Sequence, residues 1–514
     1  MSFVRHSGIL LHPTSLPGPH GAGDLGPSAR HFVDWLATGR QSLWQVLPLG
    51  GVGPGNSPYM SPSAFAGNEL LIDLEQLQQR GWLDADDLRP DPAFSAERVD
   101  YARVAAYRLP RLKCAASRFL AHGDAAEHAR FAGFCRRMSG WLDDYALFMA
   151  LDEQHRGSGS VWQDWEPALA RREPGALRAA AQRLAAECAA WRFCQWCFHE
   201  QWARLKAYAN ARGVRIVGDM PIFVSPHSAD VWARPDLFQL DEALRPSAVA
   251  GVPPDYFSET GQHWGNPLYR WPAHVAEGYR WWAARVRHTL AQCDLVRIDH
   301  FRGFESYWAI PASAGSAVEG AWQPGPGIAF FSALYTALDA VAGEGLPIIA
   351  EDLGIITPAV DALRKAAGLP GMRILQFAFD GDAPDPAANP YLPHNFDPDT
   401  VVYTGTHDND TTRGWWQALP ETTRDHARRY LAVSGQAIHW DLIRAASASV
   451  ARMAIVPMQD VLGLDGSARM NRPGVAEGSW TWRFHWGQVE AWHAGALAEL
   501  ARLHGRVPAG PAHA

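Results

Sequence analysis

Four short apolar runs in this chain end in, or lead straight into, an acidic residue. Residues 215–220 (RIVGDM) carry Asp219. Residues 294–299 (DLVRID) end in Asp299 and continue into His300. Residues 347–351 (PIIAE) end in Glu351, with Asp352 next. Residues 401–405 (VVYTG) lead into Thr406, His407, Asp408, Asn409 and Asp410. One carboxylate at such a place is ordinarily a helix cap or a solvated loop residue. Four that converge repel one another, so one is expected to keep its proton at a raised pKa beside an ionised neighbour. That is the pairing retaining glycoside chemistry uses, a nucleophile and an acid/base about 5–5.5 Å apart. A third carboxylate can hold sugar hydroxyls and favour an oxocarbenium-like transition state. Arg297 stands two residues before Asp299, so on a strand both side chains leave by the same face. There the guanidinium could keep Asp299 ionised by a charge-assisted hydrogen bond; the plainer alternative is a salt bridge that only serves the fold.

The elements that must position these groups are read from the same apolar runs. Four more accompany them, at 7–12 (SGILLH), 43–47 (LWQVL), 372–377 (MRILQF) and 453–458 (MAIVPM). Each is bounded by turn residues and separated from the next by helical or polar stretches, the pattern of buried parallel strands. Eight such runs interleaved with helices indicate a (β/α)8 TIM barrel rather than a doubly wound sheet. In a barrel, catalytic groups stand at the C-terminal strand ends, where all four acidic runs place theirs. The length of 514 residues fits one barrel with insertions. We expect a single catalytic domain over 1–514 with a mostly helical insertion at 57–205. A second insertion, at 225–290, is expected to be a substrate-covering loop and helical subdomain. The stretch 176–212 reads as helix stopped by Gly213, and 252–271 reads as ordered loop. Too little chain follows the eighth run for a separate C-terminal β-domain, and 507–514 is expected to fray.

Composition narrows the partners. With 47% hydrophobic and 19% charged residues the chain is globular, and a net charge of −8 argues against nucleic acid. No run of 18 apolar residues predicts a membrane span and no apolar leader follows Met1. Six cysteines are too few for a disulfide scaffold, which fits a reduced, cytoplasmic compartment. Cys194 and Cys197 lie in an aromatic helical stretch and read as packed interior rather than a redox or zinc pair. No cluster has metal-ligand spacing and no glycine-rich loop precedes a helix, so no cofactor and no metal are expected. The 23 tryptophans are either core residues or platforms for sugar rings. His12 is structural or a rim residue, and Asp352 a supporting group or helix cap.

The run 296–303 (VRIDHFRG) resembles the nucleophile motif of the α-amylase clan and, within it, of the 4-α-glucanotransferases called amylomaltases or disproportionating enzymes. The blocks 56–74, 215–224, 251–269, 349–354, 372–380, 404–411 and 469–483 are similar to the same family, in order. The resemblance implies Asp299 as nucleophile, Glu351 as general acid/base, Asp408 as transition-state stabiliser and Arg297 as the residue positioning the nucleophile. It implies sugar binding by Tyr59, Asp219 and His407. It also implies α-1,4-glucans (maltooligosaccharides, amylose, glycogen-derived chains) and glucose as partners of a monomer or weak homodimer. The sequence departs from the family pattern at Pro54, Glu69 and Ser479. The segment 251–269 carries Asp255, Tyr256, Phe257, Gln262, Trp264 and Asn266, stacking and hydrogen-bonding groups suited to hold an acceptor sugar and restrict water. Transfer to a glucan is therefore expected over the alternatives, an α-amylase-type hydrolase or a silent glucan-binding protein.

Overall fold

The structure, a computed structural model, describes residues 4–155, 157, 159–254, 259–340, 345–475 and 477–507. Among these are twelve strands. They are β1 (His6–Leu10), β2 (Leu43–Gln45), β3 (Arg215–Pro221), β4 (Ala248–Val252), β5 (Gln262–Pro267) and β6 (Leu295–Asp299), then β7 (Ser306–Pro311), β8 (Ala321–Pro324), β9 (Ile348–Ala350), β10 (Gly371–Ile374), β11 (Thr400–Tyr403) and β12 (Met453–Pro457).

Eight of them form one parallel sheet in the order β10-β11-β12-β1-β2-β3-β6-β9, and each matches one of the apolar runs. The sheet curls until its outer strands almost meet, and Ala350 N–H donates to the Pro370 carbonyl at 2.9 Å across the β9–β10 seam. Strands such as β11 and β12 are buried along their whole length, which is why they read as unbroken apolar runs. The run 372–377 is strand only as far as Ile374 and then tightens into a 3-10 turn.

Between β2 and β3 lie the long helices Tyr101–His122, Ala125–Arg137, Leu142–His155, Pro174–Arg183 and Ala185–Asn210. Asp100 and Asp124 cap two of them, each accepting from the amide three residues on. The stretch read as one helix is two, broken at Leu184 (φ −105°, ψ 26°), and Gly213 ends it in the left-handed region at φ 76°. Cys194 and Cys197 are free thiols buried in the last helix. The tryptophan question resolves mainly toward core: Trp44, Trp162, Trp196, Trp202, Trp232 and Trp282 are all deeply buried.

The segment read as ordered loop is a hairpin. β4 and β5 join β7 and β8 in an antiparallel sheet of order β5-β4-β7-β8. Its last two strands follow β6, beyond the boundary expected for the second insertion. Glycine and proline hid the alternation. Gly251 has no room for a side chain, since a Cβ would sit 2.2 Å from the Gln262 carbonyl oxygen, and Gly261 turns at φ 68°. Asp255, Tyr256 and Phe257 lie outside the described residues. No strand follows Pro457 among the described residues, only short turns and the helices Met458–Val461 and Ala491–Leu503. No helix among the described residues is long and apolar enough to cross a membrane.

Candidate active site

Strands β3, β6 and β9 are neighbours, and their register decides which side chains meet. Asp219 pairs with Arg297, Pro221 with Asp299, and Ile298 with Ala350. Asp299 and Glu351 thus leave adjacent strands one step beyond the last paired rung. Arg297 is the hub. Its Nη1 donates to both oxygens of Asp219, at 2.9 and 2.8 Å, and its Nη2 donates to Asp299 Oδ1 at 2.7 Å. Burial of Arg297 works against its charge, but Asp219 and Asp299 more than offset that and hold it protonated. Asp299 is the more open of the two acids, 29% of its side chain exposed against 0% for Asp219.

Glu351 is gripped by the backbone. Oε2 accepts the His300 amide at 2.7 Å and Oε1 the Leu353 amide at 2.8 Å. Its pKa is nevertheless pushed up to about 8, first by burial and second by the charge of Asp299, with Arg297 and the two amides pulling the other way. Burial likewise raises Asp219, and Arg297 opposes it.

The opposite wall is built by the turn after β11. Tyr59 O–H donates to Asp219 Oδ2 at 2.9 Å, and His407 Nε2 lies 2.9 Å from the same hydroxyl. With the phenol proton committed to Asp219, the imidazole is the donor in that second bond. His407 Nε2 is also 3.4 Å from Asp408 Oδ2. Asn471 Nδ2 donates to Asp408 Oδ1 at 2.6 Å, and Arg469 Nη2 to the Asp408 carbonyl at 2.6 Å. Asn471, Arg469 and Trp480, whose ring centroid is 5.6 Å from Tyr59 and 5.8 Å from His407, were not singled out from sequence. Their only signal there was membership of the block 469–483.

These walls enclose a cleft of about 460 Å³ lined by Tyr59, Gln262, Trp264, Asn266, Asp299, His300, His407, Asp408 and Trp480, with Pro54 and the turn 472–475 at its mouth. Trp264 and Trp480 are the tryptophans that line it. Trp264 Nε1 donates to Gln262 Oε1 at 3.0 Å, and Asn266 Nδ2 to the Val224 carbonyl at 2.8 Å, so Asn266 also ties β5 to the barrel. Asp219 and Arg297 lie behind the lining rather than in it. Both Asp219 oxygens accept hydrogen bonds from protein, and the aspartate supports Tyr59 and Arg297. Asp255 falls outside the described residues. His12 is buried at 4% exposure, no rim residue. Asp352 is no helix cap: it accepts the Met372 amide at 2.6 Å and pairs with Arg364, bracing the β9–β10 seam.

A family model described as 4-alpha-glucanotransferase matches residues 11–489. The 4-alpha-glucanotransferase of Synechocystis sp. is 50% identical over 505 residues, covering 98% of this chain and 98% of its own. That of Thermus thermophilus is 50% identical over 515 residues, covering 99% and 100%. Among solved structures, the amylomaltase of Streptococcus agalactiae in complex with acarbose superposes with a TM-score of 0.92 at 38% identity, covering 98% of this chain and 99% of that one. The amylomaltase of Corynebacterium glutamicum, at 20% identity and a TM-score of 0.75, shares the fold.

Proposed function

This chain belongs to the 4-alpha-glucanotransferase family, and we infer from its site that it moves a segment of an α-1,4-glucan from a donor to the 4-hydroxyl of an acceptor glucan or glucose, with retention. The observation that carries the chemistry is a pair of carboxylates at the ends of neighbouring strands, Asp299 held by Arg297 and Glu351 held by two backbone amides. Arg297 donates to Asp299 Oδ1, leaving Oδ2 as the attacking oxygen, while the neighbouring strand offers Glu351 with a pKa pushed up to about 8.

In the first step Asp299 attacks the anomeric carbon as Glu351 gives its proton to the departing glycosidic oxygen, and a glycosyl ester forms on Asp299. That ester has no charge. One of the two causes that keep Glu351 protonated is thereby removed, its pKa falls, and it becomes the base for the second step. There it takes the proton of the acceptor hydroxyl, whose oxygen displaces Asp299 and restores the bond. Asp408, fixed through Oδ1 by Asn471, turns Oδ2, which lies 3.4 Å from His407 Nε2, toward hydroxyls of the sugar that bears the developing positive charge. Tyr59 and His407 form the floor on which that sugar lies.

Transfer rather than hydrolysis is supported by the relatives' names and by what β5 brings to the cleft. Trp264 and Gln262 offer a held acceptor a flat face and a polar edge, and an oriented hydroxyl outcompetes bulk water. We further propose that the whole chain works as one catalytic unit, its helical insertion a scaffold and its antiparallel sheet a cover. Its partners are maltooligosaccharides, amylose or glycogen-derived chains, and it acts in the cytoplasm in starch or glycogen metabolism as a monomer or weak homodimer. Maltotriose tests the reading: transfer yields glucose and a ladder of longer oligomers with no net gain of reducing ends. Reducing ends that rise in step with maltotriose loss would select hydrolysis.

A further inference from the structure

His300 combines four features that the reaction above leaves unused. It is a non-glycine residue in the left-handed region, at φ 59° and ψ 49°, a conformation uncommon for a bulky side chain. Its amide is the donor to Glu351 Oε2. Its imidazole forms part of the cleft wall between Asp299 and Trp264, its ring edge-on to the Trp264 ring at 4.8 Å between centroids. And although the residue is 9% exposed, neither ring nitrogen has a hydrogen-bond partner among the described residues, with Nε2 fully buried. A buried polar group left unpaired is costly and calls for a partner. The neighbours hold the ring without satisfying it. Phe223 and Trp264 offer carbon faces, and Gly303 leaves room where a Cβ would come within 3.3 Å of the imidazole and 2.8 Å of Ile222.

We propose that His300 is an acceptor-binding residue. Its imidazole hydrogen-bonds a hydroxyl of the glucose ring seated against Trp264, while its main-chain N–H fixes Glu351. One residue then orients both the incoming sugar and the base that takes its proton, and the left-handed backbone is what lets the amide and the side chain serve two sides of the same cleft. A neutral imidazole has one donor and one acceptor, so either nitrogen can meet a sugar hydroxyl without a change of charge.

This proposal rests on the transferase reading, and the experiment separates the two. Maltotriosyl fluoride serves as donor and glucose as acceptor. Fluoride release reports formation of the intermediate, and the ratio of maltotetraose to maltotriose reports how it partitions between glucose and water. His300→Phe keeps the ring and deletes both nitrogens. His300→Gly deletes the side chain while relaxing the backbone, and His300→Asn restores a polar group that tolerates positive φ. The expected result is that the glucose concentration giving half transfer rises about tenfold in the Phe and Gly variants, the worth of one hydrogen bond, and less in the Asn variant. Transfer then falls by more than fluoride release does. A partition ratio within twofold of wild type in both removal variants, or transfer and fluoride release falling by one common factor, overturns the proposal and leaves His300 a packing residue. A wild type that makes no maltotetraose at any glucose concentration would instead sink the transferase reading itself.

Discussion

In the proposed reaction Glu351 is protonated to cleave and deprotonated to accept the acceptor's proton, so its environment would set the pH range. Its pKa is raised to about 8, so the acid form persists through neutrality and is lost as pH climbs past that value. The expected outcome is that kcat/KM on maltotriose holds to about pH 8 and falls beyond it. Glu351→Gln should lower the rate on maltotriose by about 10²–10⁴ and flatten that alkaline limb, with glycosyl fluorides hurt less because fluoride needs little help to leave. An unchanged alkaline limb in the Gln variant would mean that another group titrates there. Asn471 gives a second check. Removing its 2.6 Å bond to Asp408 by Asn471→Ala leaves a carboxylate that must be held by less, and a hydrogen bond to a charged group is worth about 1.5–3 kcal/mol. We expect kcat to fall about tenfold to a hundredfold with KM little changed; a change confined to KM would remove Asp408 from the transition-state role. The difference between these two residues also shows what was legible beforehand. Glu351 ends an apolar run, and strand periodicity alone puts it at the barrel mouth. Asn471 reaches Asp408 from 63 residues away along the chain, and nothing local in a turn sequence records which distant carboxylate its amide will meet.

At the level of elements, regular structure was readable where burial is uniform and was lost where backbone geometry overrides pattern. The eight barrel strands announce themselves because both faces are covered. The β4–β5 hairpin does not: Gly251, Gly261, Gly265 and three prolines in or beside it imitate a loop, while the pairing that makes it a sheet comes from β7, which lies past β6. That arrangement matters for function, because it makes Trp264 a strand residue anchored through Asn266 and paired β4 rather than the tip of a free loop. Trp264→Ala should therefore remove one ring face from the cleft with the hairpin still in place. Losing a contact of about 1–3 kcal/mol lowers acceptor occupancy about fivefold to a hundredfold, whereas water needs no platform. Counting released reducing ends against redistributed chains should show the ratio of hydrolysis to transfer rising. If both rates drop together at constant ratio, the tryptophan only supports the fold.

Across the whole molecule, the same burial that tunes the cleft also decides how the fold responds to acid. Histidines at widely separated places are packed away from water and held neutral. Burial lowers His12 and His199 to about 3, and His6, His274, His288, His300 and His439 to about 4. In the unfolded chain each titrates near 6.5. Between about pH 6.5 and 4 the unfolded state therefore binds protons that the native state refuses, and stability falls as pH falls through that window. Buried acids act in the opposite sense. Asp219 and Asp230 are raised to about 6 and Glu351 to about 8, so their folded forms bind protons that the unfolded chain has already released, and they favour folding as pH drops. Burial also lowers His20, His493 and His504 and also raises Asp73, Asp352, Asp441 and Asp460, so among the described residues ten lowered histidines stand against seven raised acids and the histidines outweigh them. None of this could be read from sequence, since a histidine's letter does not say whether the barrel will close over it; His12, at the end of a strand run, left a rim and an interior reading equally open. The melting temperature is expected to be highest near or above pH 7 and to decline steadily from pH 6.5 to 4.5. His199→Phe, which replaces an imidazole packed between Phe134, Trp141 and His288 by a ring that cannot take a proton, should make that decline shallower. A thermal scan at several pH values decides it: a melting temperature that rises on acidification would show that the buried carboxyls, not the histidines, govern the balance.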